Sequence, residues 1–370
     1  MKAYVWTGPR RFETWETPRP EPGPGEVLLR VLYSGICGSE LSGYLGENSL
    51  RKPPLVMGHE FTGEVVAFGE GAAGAGGTGA AVAQDAGASG AAASGNGGAA
   101  VARGAGGATL ALGDVVAVNP LVACGGCPDC LRGLPQYCPN KAIVGIHRPG
   151  SFAEYVVVPA DRCHRVGDPL AGALVEPLAC GLRAAAQAQV ALGDCVVVYG
   201  AGIIGLFSLL AAKLRGASTL VLVDTNDDRL ALGTAFGATH AANPRREDVA
   251  EMVRKLTGGG ADRAIDAVGL TATRQGCVDV LRSGGRMAWI GLHEDDTRVQ
   301  GNVVVRKELE VAGCFCYTED DFRLAHRLVD TGVVKPDAAW LDVRPMATIQ
   351  AAFDEQIDGP ARYPKLVLQP

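Results

Sequence analysis

The stretch CVVVYGAGIIGLFSLLAAKLRGASTLVLVD, residues 195–224, constrains the fold more than any other part of the chain. An apolar, β-branched run leads into Gly200, Gly202 and Gly205 at G-x-G-x-x-G spacing. A helical run follows, and a second apolar run ends at Asp224. Strand, glycine turn, helix and strand in that order predict a parallel βαβ unit that binds a dinucleotide. Gly200 permits the tight turn, Gly202 lets the backbone approach a pyrophosphate, and Gly205 lets helix and strand pack closely. The helix N-terminus turns free N–H groups and a positive dipole end toward the phosphates. Asp224 would accept hydrogen bonds from a ribose diol and repel a 2′-phosphate, and with Asp227 and Asp228 nearby the balance favours NAD over NADP. An ordinary βα turn with a helix-capping Asp is the plainer alternative. RLALGTAFGA then reads as a helix, and RAIDAVG and RMAWIGL as strands. This alternation predicts an α/β fold with a doubly wound parallel sheet.

The chain before this unit has a different rhythm. GEVLLRVLYSGIC and FTGEVVAFG are short β-rich runs between Pro/Gly turns, suited to a small barrel or sandwich. Residues 71–110 are almost entirely Gly, Ala, Ser and Thr, with no aromatic residue. Such a tract buries too little side chain to offset its ordering entropy, so it is expected to be a flexible surface insertion; a functional lid is the alternative. Beyond Tyr317, EDDFRLAHRLVDTG reads as a helix and KLVLQP as a strand that returns to the first domain.

A net charge of −6 and the lack of any basic cluster argue against a nucleic-acid partner. The N-terminus lacks the apolar core of a signal peptide, and no apolar run reaches the ~20 residues that span a bilayer, so a cytoplasmic location and no membrane partner are expected. The 11 cysteines suit thiols and metal ligands better than a disulfide framework. Four of them, Cys124, Cys127, Cys130 and Cys138 in CGGCPDCLRGLPQYC, fit a closed tetrahedral thiolate site for structural zinc. An iron–sulfur cluster or a redox dithiol is the alternative. Four thiolates leave no open position, so chemistry is expected elsewhere.

GICGSE with Cys37, MGHEFTG with His59 and Glu60, and LVEPLA with Glu176 supply it. Together with the four-cysteine lobe and GAGIIG, in this order, they make the chain resemble the zinc-dependent medium-chain alcohol and polyol dehydrogenases over its length outside the Gly/Ala tract. The resemblance implies a GroES-like catalytic domain over residues 1–177, carrying the insertion at 71–110 and the zinc lobe at 120–140. A Rossmann NAD-binding domain over 178–316 and a returning segment over 317–370 follow. It implies two zinc ions per chain and NAD. Cys37, His59 and Glu176 would hold the catalytic zinc, with Glu60 contacting zinc-bound water or joining the coordination sphere transiently. Taken singly, Cys37 reads as a core thiol and Glu176, before Pro177, as a helix start.

Ser39 matches the family's proton-accepting Ser/Thr, and Glu40 stands where relatives place the Asp that orients the ligand His. Ile204, Ile290, Gly291, Leu292, Phe315 and Tyr317 match positions that line the nicotinamide and the cleft, and Arg229 matches a basic residue near the adenosine; core packing is their alternative role. Ser42 replaces a relay His found in many relatives, and Cys316 stands where sorbitol dehydrogenases carry a substrate-binding Arg. Glu176 in its EPLA context resembles the sorbitol, butanediol and threonine dehydrogenase branches, and CYTEDDF and GIHRPGSFAEYVVVPA resemble butanediol dehydrogenases. RKELEVAG resembles hexitol-phosphate dehydrogenases, without a basic cluster for a phosphate. The expected activity is oxidation of a secondary alcohol, in a vicinal diol or small polyol, by NAD in a homodimer or homotetramer. L-Threonine 3-dehydrogenase is the nearest alternative, and a non-catalytic, zinc-stabilised nucleotide-binding protein the remote one.

Overall fold

The computed structural model describes residues 1–70 and 101–370. It opens with a hairpin of β1 (Lys2–Gly8) and β2 (Arg11–Glu16). The apolar run of EVLLRVLYSG makes β3 (Glu26–Gly35), and the helix α1 (Gly38–Leu45) follows at once. Then come β4 (Glu60–Phe68), β5 (Val101–Arg103), β6 (Thr109–Ala111), β7 (Val115–Val118), β8 (Tyr155–Pro159) and β9 (Cys163–Arg165). The helix α2 (Val175–Gln187) leads into the second unit.

That unit alternates as its sequence rhythm suggests. β10 (Cys195–Tyr199), α3 (Ile203–Leu214), β11 (Thr219–Val223), β12 (His240–Ala242), β13 (Ala261–Asp266), β14 (Leu281–Trp289) and β15 (Glu310–Gly313) build it. The six strands form one parallel sheet in the order β12-β11-β10-β13-β14-β15. One of its faces is covered by α2 and α3 through Leu178, Leu182, Leu206 and Phe207. The other buries Val197, Val221, Val253 and Met287. With apolar layers on both faces, the sheet is doubly wound.

The chain ends in α4 (Glu319–Asp330), β16 (Leu341–Pro345) and β17 (Lys365–Gln369). β17 pairs antiparallel with β3, Val367 opposite Gly35, so the last strand completes the first sheet. This seven-stranded sheet runs β9-β7-β4-β3-β17-β16, with β8 also on β3. Phe61, Phe152, Met346 and Phe353 fill its interior.

Two local readings differ from expectation. RLALGTAFGA is two short helices, Asp227–Ala231 and Gly233–Phe236, that meet at Leu232, and Gly233 lies so close to β11 that a Cβ there would stand 2.8 Å from Leu222. The low-complexity tract does not run structureless to residue 110. β5 and β6 form a hairpin whose Ala102 and Leu110 enter the core beside Val116 and Cys163. Residues 71–100 of the expected insertion lie outside the described residues. Among the described residues no helix is long and apolar enough to cross a membrane.

Candidate metal centre and dinucleotide loop

Cys37 lies two residues past the end of β3 as the N-cap of α1, while His59 and Glu60 stand at the start of β4. Because β3 and β4 pair with Gly35 opposite Glu60, the two strand ends bring their side chains together. One donor atom each from Cys37, His59 and Glu60 lies within 4.8 Å of the others. Glu40, one turn into α1, is wholly buried and ties this corner down. Its Oε1 accepts from Gly58 N at 2.8 Å and meets His59 Nδ1 at 2.9 Å, and its Oε2 accepts from Cys37 N at 3.0 Å. The imidazole is thereby fixed by Nδ1, the arrangement that metal-bound histidines favour.

The electrostatics suit a cation. Burial pushes the Cys37 thiol up, but His59 outweighs it and the thiol falls to about 6. Burial alone would discharge His59, yet Glu40 and Cys37 raise it to about 10. Glu40 itself is held below the usual carboxylate range by His59 and Arg51 despite its burial. Glu60 is buried, neither oxygen takes a well-formed hydrogen bond, and Lys365 Nζ lies against it. Sulfur, imidazole and a carboxylate in one buried corner are the donor set zinc takes, so the residues fit that ion.

Glu176 stands differently from expectation. It is buried in the first turn of α2 and close enough to His59 and Cys37 to feel both charges, yet it is not among the three that converge. The Tyr317 hydroxyl stands beside its carboxylate, whereas Glu60 is brought in by its place next to His59 and by Lys365. Burial raises Glu176 to about 7, with His59 opposing. Tyr317, expected along the cofactor, is 1% exposed in the core and donates to Asn119 Oδ1 at 3.5 Å. Its packing against Phe322 holds it there.

Ser39 Oγ donates to Cys37 Sγ at 3.3 Å and accepts from Arg51 Nη2 at 3.1 Å. Ser42 Oγ donates to the Ser39 carbonyl rather than to its hydroxyl, so no side-chain relay continues through Ser42.

The four cysteines of the lobe converge as a second group, their sulfurs within 4.8 Å of one another. Cys127 caps the short helix Pro128–Leu131, and its sulfur stands 3.4 Å from that of Cys130. The Cys138 and Cys124 sulfurs are 3.5 Å apart. Backbone N–H groups of Gly126 and Cys127 lower Cys124 to about 6. Sulfurs this close leave room for a single ion and none for a cluster of irons.

At the carboxyl ends of the parallel strands lies the glycine loop. Gly200 has φ +102°, and a Cβ on Gly205 would collide with the Gly200 carbonyl oxygen, so both positions require glycine. Asp224 braces the loop: Oδ2 accepts from Ala201 N at 2.6 Å and Oδ1 from Asn226 N at 2.8 Å. Ile290 and Gly291 donate to the Asp266 carbonyl at the same sheet end, and Leu292 and Phe315 are exposed there. Ile204 packs against the core under the loop. Arg229 turns to the C-terminal segment, donating from Nε and Nη2 to the Ala361 carbonyl at 3.0 and 2.8 Å, and so does not stand free beside an adenosine.

Two buried cations near this corner escape the sequence reading. Lys365 is fully buried at the start of β17 and donates to the Ile36 carbonyl at 3.0 Å. Arg51, 4% exposed, lies over α1. A lysine opening an apolar strand was the only signal for the first, and Arg51 in SLRKPP looked like an ordinary surface residue.

Residues 204–331 match the family described as zinc-binding dehydrogenase, and residues 23–108 and 92–168 match the alcohol dehydrogenase GroES-like domain. The chain is 32% identical over 323 residues to a sorbitol dehydrogenase of Halalkalibacterium halodurans, covering 85% of this chain and 83% of that protein. It is 30% identical over 362 residues to an L-threonine 3-dehydrogenase of Deinococcus deserti, covering 93% and 92%. Its fold superposes on an alcohol dehydrogenase of Escherichia coli CFT073 solved with NADH at a TM-score of 0.82, with 26% identity and 100% and 99% of the two chains covered. The chain therefore belongs to the zinc-dependent medium-chain alcohol and polyol dehydrogenases, enzymes that act on CH–OH donors with zinc and NAD(P).

Proposed function

We propose that this enzyme oxidises the secondary alcohol of a vicinal diol or small polyol to its ketone with NAD+, releasing NADH and a proton. The convergence of Cys37, His59 and Glu60, with Ser39 hydrogen-bonded to Cys37, carries the reading. Cys37 and His59 with Glu176 or Glu60 would hold a catalytic zinc, and Cys124, Cys127, Cys130 and Cys138 a structural one. When bound, zinc supplies the Lewis acidity that lets an alcohol lose its proton near neutral pH, and NAD+ supplies the hydride acceptor.

The chain's own groups do the rest. Glu40 fixes the His59 ring, and Ser39 Oγ takes the alcohol proton. Since Ser42 is turned away, that proton leaves through water. The glycine loop and the α3 N-terminus receive the pyrophosphate. Asp224 takes the ribose diol and repels a 2′-phosphate, which supports NAD over NADP. The exposed edge strand β15, with Val311 44% exposed, supports a homodimer or homotetramer.

L-Threonine 3-dehydrogenase activity is the second reading, favoured by the identity to the Deinococcus enzyme over nearly the whole chain. A panel of diols, polyols and amino alcohols, followed by NADH absorbance with NAD and NADP side by side, tests both. Strong preference for threonine over every diol would replace the first reading by the second.

A further inference from the structure

We propose that Arg51 is the anion-recognising group of this active site and that the alcohol oxidised here carries a carboxylate. The inference rests on the dehydrogenase reading and narrows its substrate to hydroxy acids of the polyol series.

A guanidinium has five N–H donors and stays charged in proteins, so it is almost never buried without a partner. Arg51 is 4% exposed, yet among the described residues its only side-chain hydrogen bond runs from Nη2 to the neutral Ser39 Oγ at 3.1 Å. Its buried Nε and Nη1 have no acceptor among the described residues. Among the described residues no carboxylate stands within ion-pair distance of it. Glu40, whose charge it senses, is already committed to Cys37 N, Gly58 N and His59. Burying an unpaired charge is costly, and an anionic ligand at these donors would relieve that cost.

The fold makes room for this arginine. A Cβ on Gly43, in the interior of α1, would stand 2.5 Å from Arg51 Cδ. Glycine there weakens the helix relative to alanine, and in exchange the side chain lies along α1 and ends at Ser39. Ser39 in turn touches Cys37, so the guanidinium stands one residue away from the metal centre. An anion held at Arg51 would sit beside an alcohol whose proton goes to Ser39. A carboxylate suits a lone guanidinium. A phosphate dianion calls for a second cation, and Lys365, the other buried cation of this region, already faces Glu60.

The zinc-loaded holoenzyme is assayed with NAD+ on five- and six-carbon aldonates, the matching alditols and the matching polyol phosphates. The wild type is expected to favour an aldonate over its alditol by at least about 10-fold in kcat/KM, the scale of one hydrogen bond to a charged group. Arg51→Met should lower that aldonate-to-alditol ratio about 10- to 100-fold, Arg51→Lys should lower it less, and Gly43→Ala should lower it by displacing the stem. Wild-type enzyme that oxidises neutral polyols with no preference for the carboxylate would overturn this inference and leave the dehydrogenase reading standing. A preference for the phosphate would overturn the carboxylate assignment. An Arg51→Met effect confined to the Kd of NAD+ would overturn it too, since the guanidinium would then serve a cofactor phosphate. No turnover of any alcohol would overturn both readings together. If the Arg51 variants do not fold, glycolate as a probe of the wild type decides: competitive inhibition against an alditol supports the inference, and no inhibition overturns it.

Discussion

Lys365 and Glu60, separated by nearly the whole chain, meet in the interior, the ammonium of the last strand lying against the carboxylate that follows His59. Burial lowers Lys365 to about 8, with Cys37 and Glu40 opposing that shift. The pairing couples closure of the first sheet by β17 to the metal corner. Breaking a buried ion pair from one side leaves an uncompensated charge and costs about 3–5 kcal/mol. Lys365→Met should therefore lower the thermal midpoint markedly, and Lys365→Met with Glu60→Gln should recover most of the loss. A double-mutant cycle with no coupling would show that the two side chains do not interact.

Glu40 fixes His59 through Nδ1 at 2.9 Å. Glu40→Ala should weaken zinc binding or kcat/KM about 10- to 100-fold while the folded fraction stays near that of the wild type. Metal titration beside activity checks this, and unchanged values would remove Glu40 from any orienting role.

In the lobe, Cys127 both caps a helix and stands 3.4 Å from the Cys130 sulfur. Cys127→Ser should lose one zinc per chain and lower the thermal midpoint. A variant that keeps full zinc content would contradict a four-thiolate site.

His164 gives a pH prediction. It is 8% exposed, its Nε2 has no hydrogen bond among the described residues and lies 3.8 Å from the Glu319 carboxylate, and burial, reinforced by His326 and nearby arginines, lowers it to about 3. In the unfolded chain it titrates near its ordinary value of 6.5. Between about 3 and 6.5 the unfolded state thus binds the extra proton, and stability is lost as the pH falls, by up to about 1.4 kcal/mol per pH unit. Above that window the contribution is flat. Unfolding midpoints from pH 7 down to 5 should fall less steeply in His164→Phe than in the wild type, and equal slopes would deny His164 this part.

What could be read from the sequence is what is encoded locally. Gly200, Gly202 and Gly205 declare a turn because the next few residues decide whether a backbone can make it, and Asp224 falls at the end of the next strand by the same arithmetic. The cysteine spacing of the lobe is local too. Arg51 and Lys365 were not legible, since their burial depends on α1 and β17 packing against elements far away in the chain. Tyr317 was placed near the cofactor by position alone, whereas its packing with Phe322 turns it inward toward Glu176. The hairpin at 101–111 was hidden by its own composition: Ala102 and Leu110 look incidental in a Gly/Ala tract until Val116 and Cys163 pack on them.

The central claim is that activity depends on an ion held at the corner of Cys37, His59 and a glutamate, and it is tested most directly by following zinc content and NADH production together during dialysis against a mild chelator. Activity is predicted to fall in proportion to the loss of the first of two zinc ions and to return when zinc is restored, with the lobe zinc still in place. Undiminished turnover after that first ion has gone would contradict it.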